Sequence, residues 1–120
     1  MPKQDDATRL RHMLDAARKA VSLVNGKGRV ILDSDETLGL AVVRLLEILG
    51  EAARGVSQEF QDNHSKIAWK EMIGARNHLI HGYYEVDYDI VWQILEEDLP
   101  LLIQELEKLF PHEPEEKMDE

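Results

Sequence analysis

Apolar residues recur every three or four positions over most of this chain, and that periodicity constrains its fold more than any other feature. The first such segment runs from about Asp6 to Asn25-Gly26-Lys27-Gly28. This spacing places the apolar side chains on one face of an α-helix, and the glycine-rich stretch is a strong helix breaker. The alternation typical of a half-buried strand is absent from this segment. We therefore expect an all-α protein.

A second helix is predicted after this break. Asp33, followed three residues later by Glu36, has the form of a capping box with Asp33 as the N-cap. Apolar residues then share one face as far as Ala52, and Gly55 is the expected stop. The polar residues 57–64 are compatible with either a short helical turn or a loop.

Two more helices complete the pattern. The third begins between Ser65 and Trp69, and Gly82 offers its stop. The fourth begins near Asp87 or Asp89, either of which could cap it. Pro100 lies inside its apolar stripe and cannot donate a helical hydrogen bond, so we expect a kink there or two helices in tandem.

Length and composition indicate one domain. The chain has 120 residues, a size that can bury a sufficient core without metal or disulfide, and it contains no cysteine. We expect a single helical domain over residues 1–110, arranged as an up-and-down bundle of four to five helices, and an acidic, disordered tail over residues 111–120. The start of the chain has no apolar signal segment, and no apolar run is long enough to span a membrane, so a cytoplasmic protein is expected.

Charge is distributed unevenly along the chain. The formal net charge is −10, and residues 85–120 hold two lysines and thirteen acidic residues. Residues 64–84, in contrast, carry three basic residues, one glutamate and three histidines. A general duplex DNA binder would need a domain-wide basic face. The distribution argues against that class and leaves room for a small site that binds one or two phosphates.

The stretch RNHLIHGYY, residues 76–84, concentrates an unusual set of polar side chains. If Gly82 ends the third helix, His81 lies in its last turn, where the helix dipole favours a positive charge and a general acid. Asn77, four residues earlier, shares its face. Arg76, five residues earlier, would point about 140° away on a regular helix. Arg76 and His81 can therefore meet only if the helix end unwinds or a second copy of the chain completes the site.

These residue types suit metal-free cleavage of a phosphodiester in RNA. That reaction needs a base for the 2′-hydroxyl, an acid for the leaving oxygen and a cation for the charge on phosphorus. Histidine serves as acid or base, and arginine presents a fixed fork of donors to phosphate oxygens. No carboxylate cluster suggests a metal site, and no cofactor is expected. The structural alternative is a polar helix end without chemistry.

The motif is similar to a known signature. Arg76-x4-His81-x-Tyr83, with Asn77 directly after the arginine, resembles the R-x4-H-x-Y pattern of HepT-like toxins of the HEPN superfamily. The resemblance covers roughly residues 8–110 and includes the surroundings of Gly50, the 66–69 segment, the run from Tyr83 to Asp87 and the 91–100 segment. One departure is Ala68, where family members often have proline before the tryptophan.

The resemblance implies a HEPN-like helical bundle that acts as a metal-independent ribonuclease. Two protomers would bring Arg76 and His81 together in a shared cleft as the catalytic residues, with Asn77 supporting them. It also implies a partner, a minimal nucleotidyltransferase antitoxin that transfers AMP to the motif tyrosine, here Tyr83. Tyr84 is adjacent but lies off the motif.

Two other functions remain open from the sequence. Some helical domains of this superfamily accompany a minimal nucleotidyltransferase as a non-catalytic subunit that binds a nucleotide or the partner. The acidic tail also allows a helical interaction protein that contacts a basic partner.

Overall fold

The computed structural model describes residues 4–81 and 85–110, with only the backbone at residues 4 and 81. These residues form seven α-helices, one π-helical segment and one short hairpin. The elements are α1 (Gln4–Val24), α2 (Ile31–Ser34), α3 (Glu36–Arg54), α4 (Gln58–Asn63), α5 (Trp69–Leu79), β1 (Ile80–His81), β2 (Glu85–Val86), α6 (Tyr88–Gln93), the π segment (Ile94–Asp98) and α7 (Leu99–Glu107).

The predicted all-α bundle is confirmed. α3 packs against both α1 and α5, and α7 packs against α1. Four long helical runs (α1, α3, α5 and the stretch from α6 to α7) surround one apolar core, and the short α4 corresponds to the uncertain segment 57–64. The side chains that are fully buried at its centre include Leu10, Met13, Leu14, Val42, Leu49, Leu79, Val91, Leu99 and Leu106.

The connection between α1 and α3 contains the predicted glycine break, but the N-cap of α3 differs from the prediction. Gly26 adopts a positive φ of 77°, a conformation that favours glycine. The prediction that Asp33 caps the second long helix is wrong, because Asp33 lies inside the single turn of α2 and has helical neighbours. Asp35 is the N-cap of α3: its backbone is extended and its side chain accepts from the Leu38 N–H at 3.0 Å.

Side-chain hydrogen bonds at Ser57 and Trp69 fix the starts of α4 and α5. Ser57 caps α4 by accepting from the Phe60 N–H at 3.2 Å. The buried Asp6 of α1 accepts from the Ser57 N–H at 2.9 Å and from its hydroxyl at 2.7 Å. α5 begins at Trp69, whose indole N–H donates to the His64 carbonyl at 3.0 Å. These bonds satisfy polar groups that burial would otherwise make costly, and they anchor the start of α5.

The end of α5 differs from the prediction. The helix stops at Leu79 and does not continue to Gly82, because Ile80 is extended, with φ −112° and ψ 122°. Ile80 pairs with Val86 and His81 with Glu85 in an antiparallel hairpin. β-branched pairs such as Ile80 and Val86 favour this extended pairing.

The helical run from α6 to α7 continues through Pro100 but includes a π-helical segment. Asp87 caps α6 by accepting from the N–H groups of Asp89 and Ile90, so Asp87 is the cap and Asp89 is not. In place of the kink or tandem helices expected at Pro100, a π segment leads directly into α7, and Pro100 lies in the first turn of α7. Pro100 has no N–H to donate, and the π segment lies where that helical hydrogen bond is missing.

Candidate functional site

Arg76 lies in the last turn of α5, and its side chain is 57% exposed. Its Nε donates to Oε2 of Glu47 on α3 at 3.1 Å. This bond uses one of the five donors of the guanidinium group. Among the described residues, no acceptor bonds to the four Nη protons, which can therefore bind another group such as the oxygens of a phosphate.

Glu47 holds two arginines at once. Its other oxygen, Oε1, accepts from Nη1 of Arg44 at 3.3 Å, one turn earlier on α3. The Glu47 side chain is 22% exposed, whereas that of Arg44 is 68% exposed. The carboxylate is therefore the sheltered centre of the cluster, and Arg44 is its solvent-facing member.

Gly50 sets the distance between the two helices at this point. A Cβ at Gly50 would lie 3.0 Å from the backbone carbonyl oxygen of Met72 on α5, tighter than an ordinary contact. Glu47 precedes Gly50 by about one helical turn, and Arg76 follows Met72 by about one turn. The two helices therefore run antiparallel here, and the close approach at Gly50 brings Glu47 within hydrogen-bonding reach of Arg76.

Arg76 and Asn77 line a cleft of about 330 Å³ between α3 and α5. Its charged lining comprises Arg44, Glu47, Glu51, Arg54 and Arg76. Three arginines against two glutamates make the cleft mildly basic on a chain whose net charge is −10. Arg44 and Arg54 are ten residues apart on α3, about 15 Å along the helix axis.

The motif residues after Asn77 do not lie where the sequence predicted or are not described. The backbone of His81 lies in β1, beyond the end of α5, so the prediction that His81 occupies the last helical turn is wrong. The helix-dipole argument and the angle of about 140° both assumed a helix through His81, and neither applies. Of the two alternatives drawn from the spacing, the helix end does unwind. The side chain of His81 and all of Gly82, Tyr83 and Tyr84 lie outside the described residues.

The cleft residues on α3 were not predicted from the sequence. Arg44, Glu47, Glu51 and Arg54 recur at intervals of three and four residues, which marks one polar face of the helix. That stripe was visible in the sequence, but a charged stripe usually faces solvent. Only the pairing of α3 with α5 identifies it as the wall opposite Arg76.

The described residues also bear on metals and membranes. Among the side chains of residues 5–80 and 85–110, no three histidine or acidic groups cluster in a way that could hold a metal ion. Over the same ranges, no helix combines the length and the apolar character needed to cross a bilayer.

The chain is similar to ribonucleases over most of its length. A family model described as "Ribonuclease HepT-like" matches residues 13–109. The chain belongs to the HepT-like ribonuclease family. "Putative RNase MJ1380" of Methanocaldococcus jannaschii is 35% identical over 89% of this chain and 98% of that protein. This agreement covers the helices that form the cleft.

Other relatives carry similar names. "Putative RNase TTE0752" of Caldanaerobacter subterraneus is 36% identical over 87% of this chain and 93% of its own length. "Probable ribonuclease HepT" of Thermococcus cleftensis is 41% identical over 62% of this chain and 68% of its own length. No solved structure matches the chain significantly. The family recognised from the R-x4-H-x-Y motif is thus confirmed over residues well beyond the motif.

Proposed function

We propose that this HepT-like protein is a metal-independent endoribonuclease, the toxin of a toxin–antitoxin pair that acts on RNA in the cytoplasm. Membership in a ribonuclease family carries this proposal. The position of Arg76 supports it, since an exposed guanidinium at a mildly basic cleft is suited to a phosphate.

Arg76 and His81 divide the chemistry in this proposal. The 2′-hydroxyl loses its proton to a base and attacks phosphorus, while the bond to the 5′-oxygen breaks and that oxygen takes a proton from an acid. Arg76 neutralises the charge that develops on the phosphate oxygens through its Nη donors. His81 is the general acid, and Asn77, in the same cleft as Arg76, supports the phosphate through its amide.

A homodimer would supply the second catalytic imidazole that a single chain lacks. The motif provides one catalytic imidazole per chain, whereas the reaction uses both an acid and a base. Two copies that share a cleft would provide two imidazoles and two guanidinium groups. The exposed positions of Arg76 and Asn77 on α5 are compatible with such a shared cleft.

Neutralisation acts on the same site. A minimal nucleotidyltransferase antitoxin transfers AMP to Tyr83, two residues beyond His81. Each AMP brings bulk and about one negative charge to the place where an RNA phosphate approaches, so steric block and like-charge repulsion act together.

The test is RNA cleavage by His81→Ala. We expect a loss of roughly 10²-fold or more, the usual contribution of a general acid, and growth arrest on expression should be relieved. His78→Ala is the matched control, because His78 is an exposed histidine on α5 three residues earlier.

Wild-type cleavage should persist in EDTA. Activity that is lost to chelator and restored by a divalent cation would contradict the mechanism. If the purified wild-type protein binds a nucleotidyltransferase but leaves RNA intact, it is instead a non-catalytic subunit.

A further inference from the structure

The contact between Glu47 and Arg76 places a carboxylate beside the arginine that is proposed to bind phosphate. Nε of Arg76 is 3.1 Å from Oε2 of Glu47. At first sight this carboxylate is unfavourable, because a negative charge in the cleft repels the RNA backbone. A group that weakens substrate binding needs another role to explain its place.

A contribution to folding stability does not explain why Glu47 lies beside Arg76. The Arg76 side chain is 57% exposed and that of Arg44 is 68% exposed. Ion pairs this accessible to solvent contribute little to stability. The contact is also not required to bury Glu47, which keeps 22% of its side chain exposed and could be solvated without Arg76.

Orientation of Arg76 does explain the contact. An arginine at a helix end has several rotatable bonds and loses considerable conformational freedom when it is fixed in one geometry. The Glu47 carboxylate binds the Nε side of the guanidinium, and no other described side chain bonds to the Nη side. Glu47 stands on α3, which the close contact of Gly50 with Met72 holds against α5. The support is therefore the rigid helix pair and not a loop.

We propose that Glu47 is a positioning residue that orients the Arg76 guanidinium toward the phosphate to be cleaved, so that it raises kcat at some cost in RNA affinity. This inference rests on the proposed ribonuclease function. Glu47 acts through Arg76 and does not itself touch the reacting atoms.

The experiment compares Glu47→Gln with Glu51→Gln in full-length protein acting on a single-stranded RNA oligonucleotide. Both variants remove one negative charge from the same cleft, since Glu51 lies one turn further along α3, but the contact of Arg76 is with Glu47. Both should lower KM slightly or leave it unchanged. Only Glu47→Gln should lower kcat, by about 10- to 100-fold, the cost of losing orientation at a reacting group. Thermal unfolding should be the same for both variants.

A second readout separates orientation from a general structural effect. In an Arg76→Ala background there is no guanidinium to orient, so Glu47→Gln should change the residual kcat by less than about twofold. Equal kcat values for Glu47→Gln and wild type, or a full 10-fold loss in the Arg76→Ala background, would overturn the inference while leaving the ribonuclease proposal intact. A wild-type protein that does not cleave RNA would overturn both.

Discussion

At the residue scale, the proposed chemistry uses the shape of Arg76 as well as its charge. Its Nε is bound to Glu47, and in the proposed mechanism its Nη donors bind the phosphate. A lysine ammonium cannot make both contacts in one plane. We expect Arg76→Lys to lower RNA cleavage by roughly 10²-fold or more, with the fold unchanged. Steady-state cleavage of an RNA oligonucleotide, together with circular dichroism, measures both quantities.

Arg44→Lys is the matched control for that prediction. Arg44 binds the same carboxylate and lines the same cleft, but its side chain is 68% exposed. We expect this variant to cleave RNA within about threefold of the wild type, as surface ion pairs contribute little. Equal losses for the two variants would mean that the cleft needs positive charge in general and not the geometry of Arg76.

Tyr83 gives a second prediction at this scale. If AMP transfer to its hydroxyl switches the protein off, Tyr83→Phe should acquire no adduct and should escape neutralisation. The protein is incubated with the candidate nucleotidyltransferase, ATP and magnesium, and added mass is located by peptide mass spectrometry. Tyr84→Phe should still be modified and silenced. An adduct on Tyr84 alone, or complete neutralisation of Tyr83→Phe by simple binding, would show that the wrong tyrosine was assigned.

At the scale of elements, the crossing of α3 and α5 is the feature on which the site depends. Alanine at Gly50 would place its Cβ 3.0 Å from the Met72 carbonyl oxygen, so the helices would have to separate by a few tenths of an ångström. Overpacking of this kind costs about 1–3 kcal/mol, against a gain of roughly 0.5–1 kcal/mol from replacing a helical glycine. We expect Gly50→Ala to be less stable in urea denaturation and to cleave RNA more slowly, since Arg76 and Glu47 meet at the same crossing.

Gly74→Ala tests whether that cost comes from the crossing. Gly74 is inside α5, and among the described residues a Cβ there would meet just the His78 Nε2, at 3.8 Å, an ordinary contact. This variant should be more stable by roughly 0.5–1 kcal/mol through helix propensity alone. Should Gly50→Ala also prove stabilising, the close approach of α3 and α5 would not be as tight as the structure indicates.

The element boundaries show where local sequence signals were sufficient to predict the start or end of a helix. The break at Gly26, the start of α5 at Trp69 and a cap at Asp87 were each predicted within the alternatives given. The end of α5 was not predicted, because Gly82 was a strong local stop but the helix ends earlier, where Ile80 pairs with Val86. Strand pairing depends on a partner further along the chain, and no local helix signal reports it.

At the scale of the whole molecule, the proposed mechanism requires two copies of the chain. We expect a homodimer in light scattering at micromolar concentration, with the α5 helices near the two-fold axis, because a symmetric interface would place both motifs in one cleft. Mixing inactive His81→Ala and inactive Arg76→Ala proteins should restore some cleavage if each copy contributes to a shared site. A strictly monomeric protein with full ribonuclease activity would rule out the dimer cleft.

The sequence by itself determined the helical class, the main helices and the family, since apolar periodicity, glycine and proline breaks and the R-x4-H-x-Y motif are all local patterns. It also singled out Arg76, Asn77, His81 and Tyr83 as candidates, and these assignments remain predictions. Only the tertiary structure decided that Arg76 faces the charged stripe of α3 and meets Glu47. The physical reason is that this contact joins residues 29 positions apart, through a helix crossing whose distance is set by a glycine against a backbone carbonyl. Spacing along one helix carries no information about such a contact.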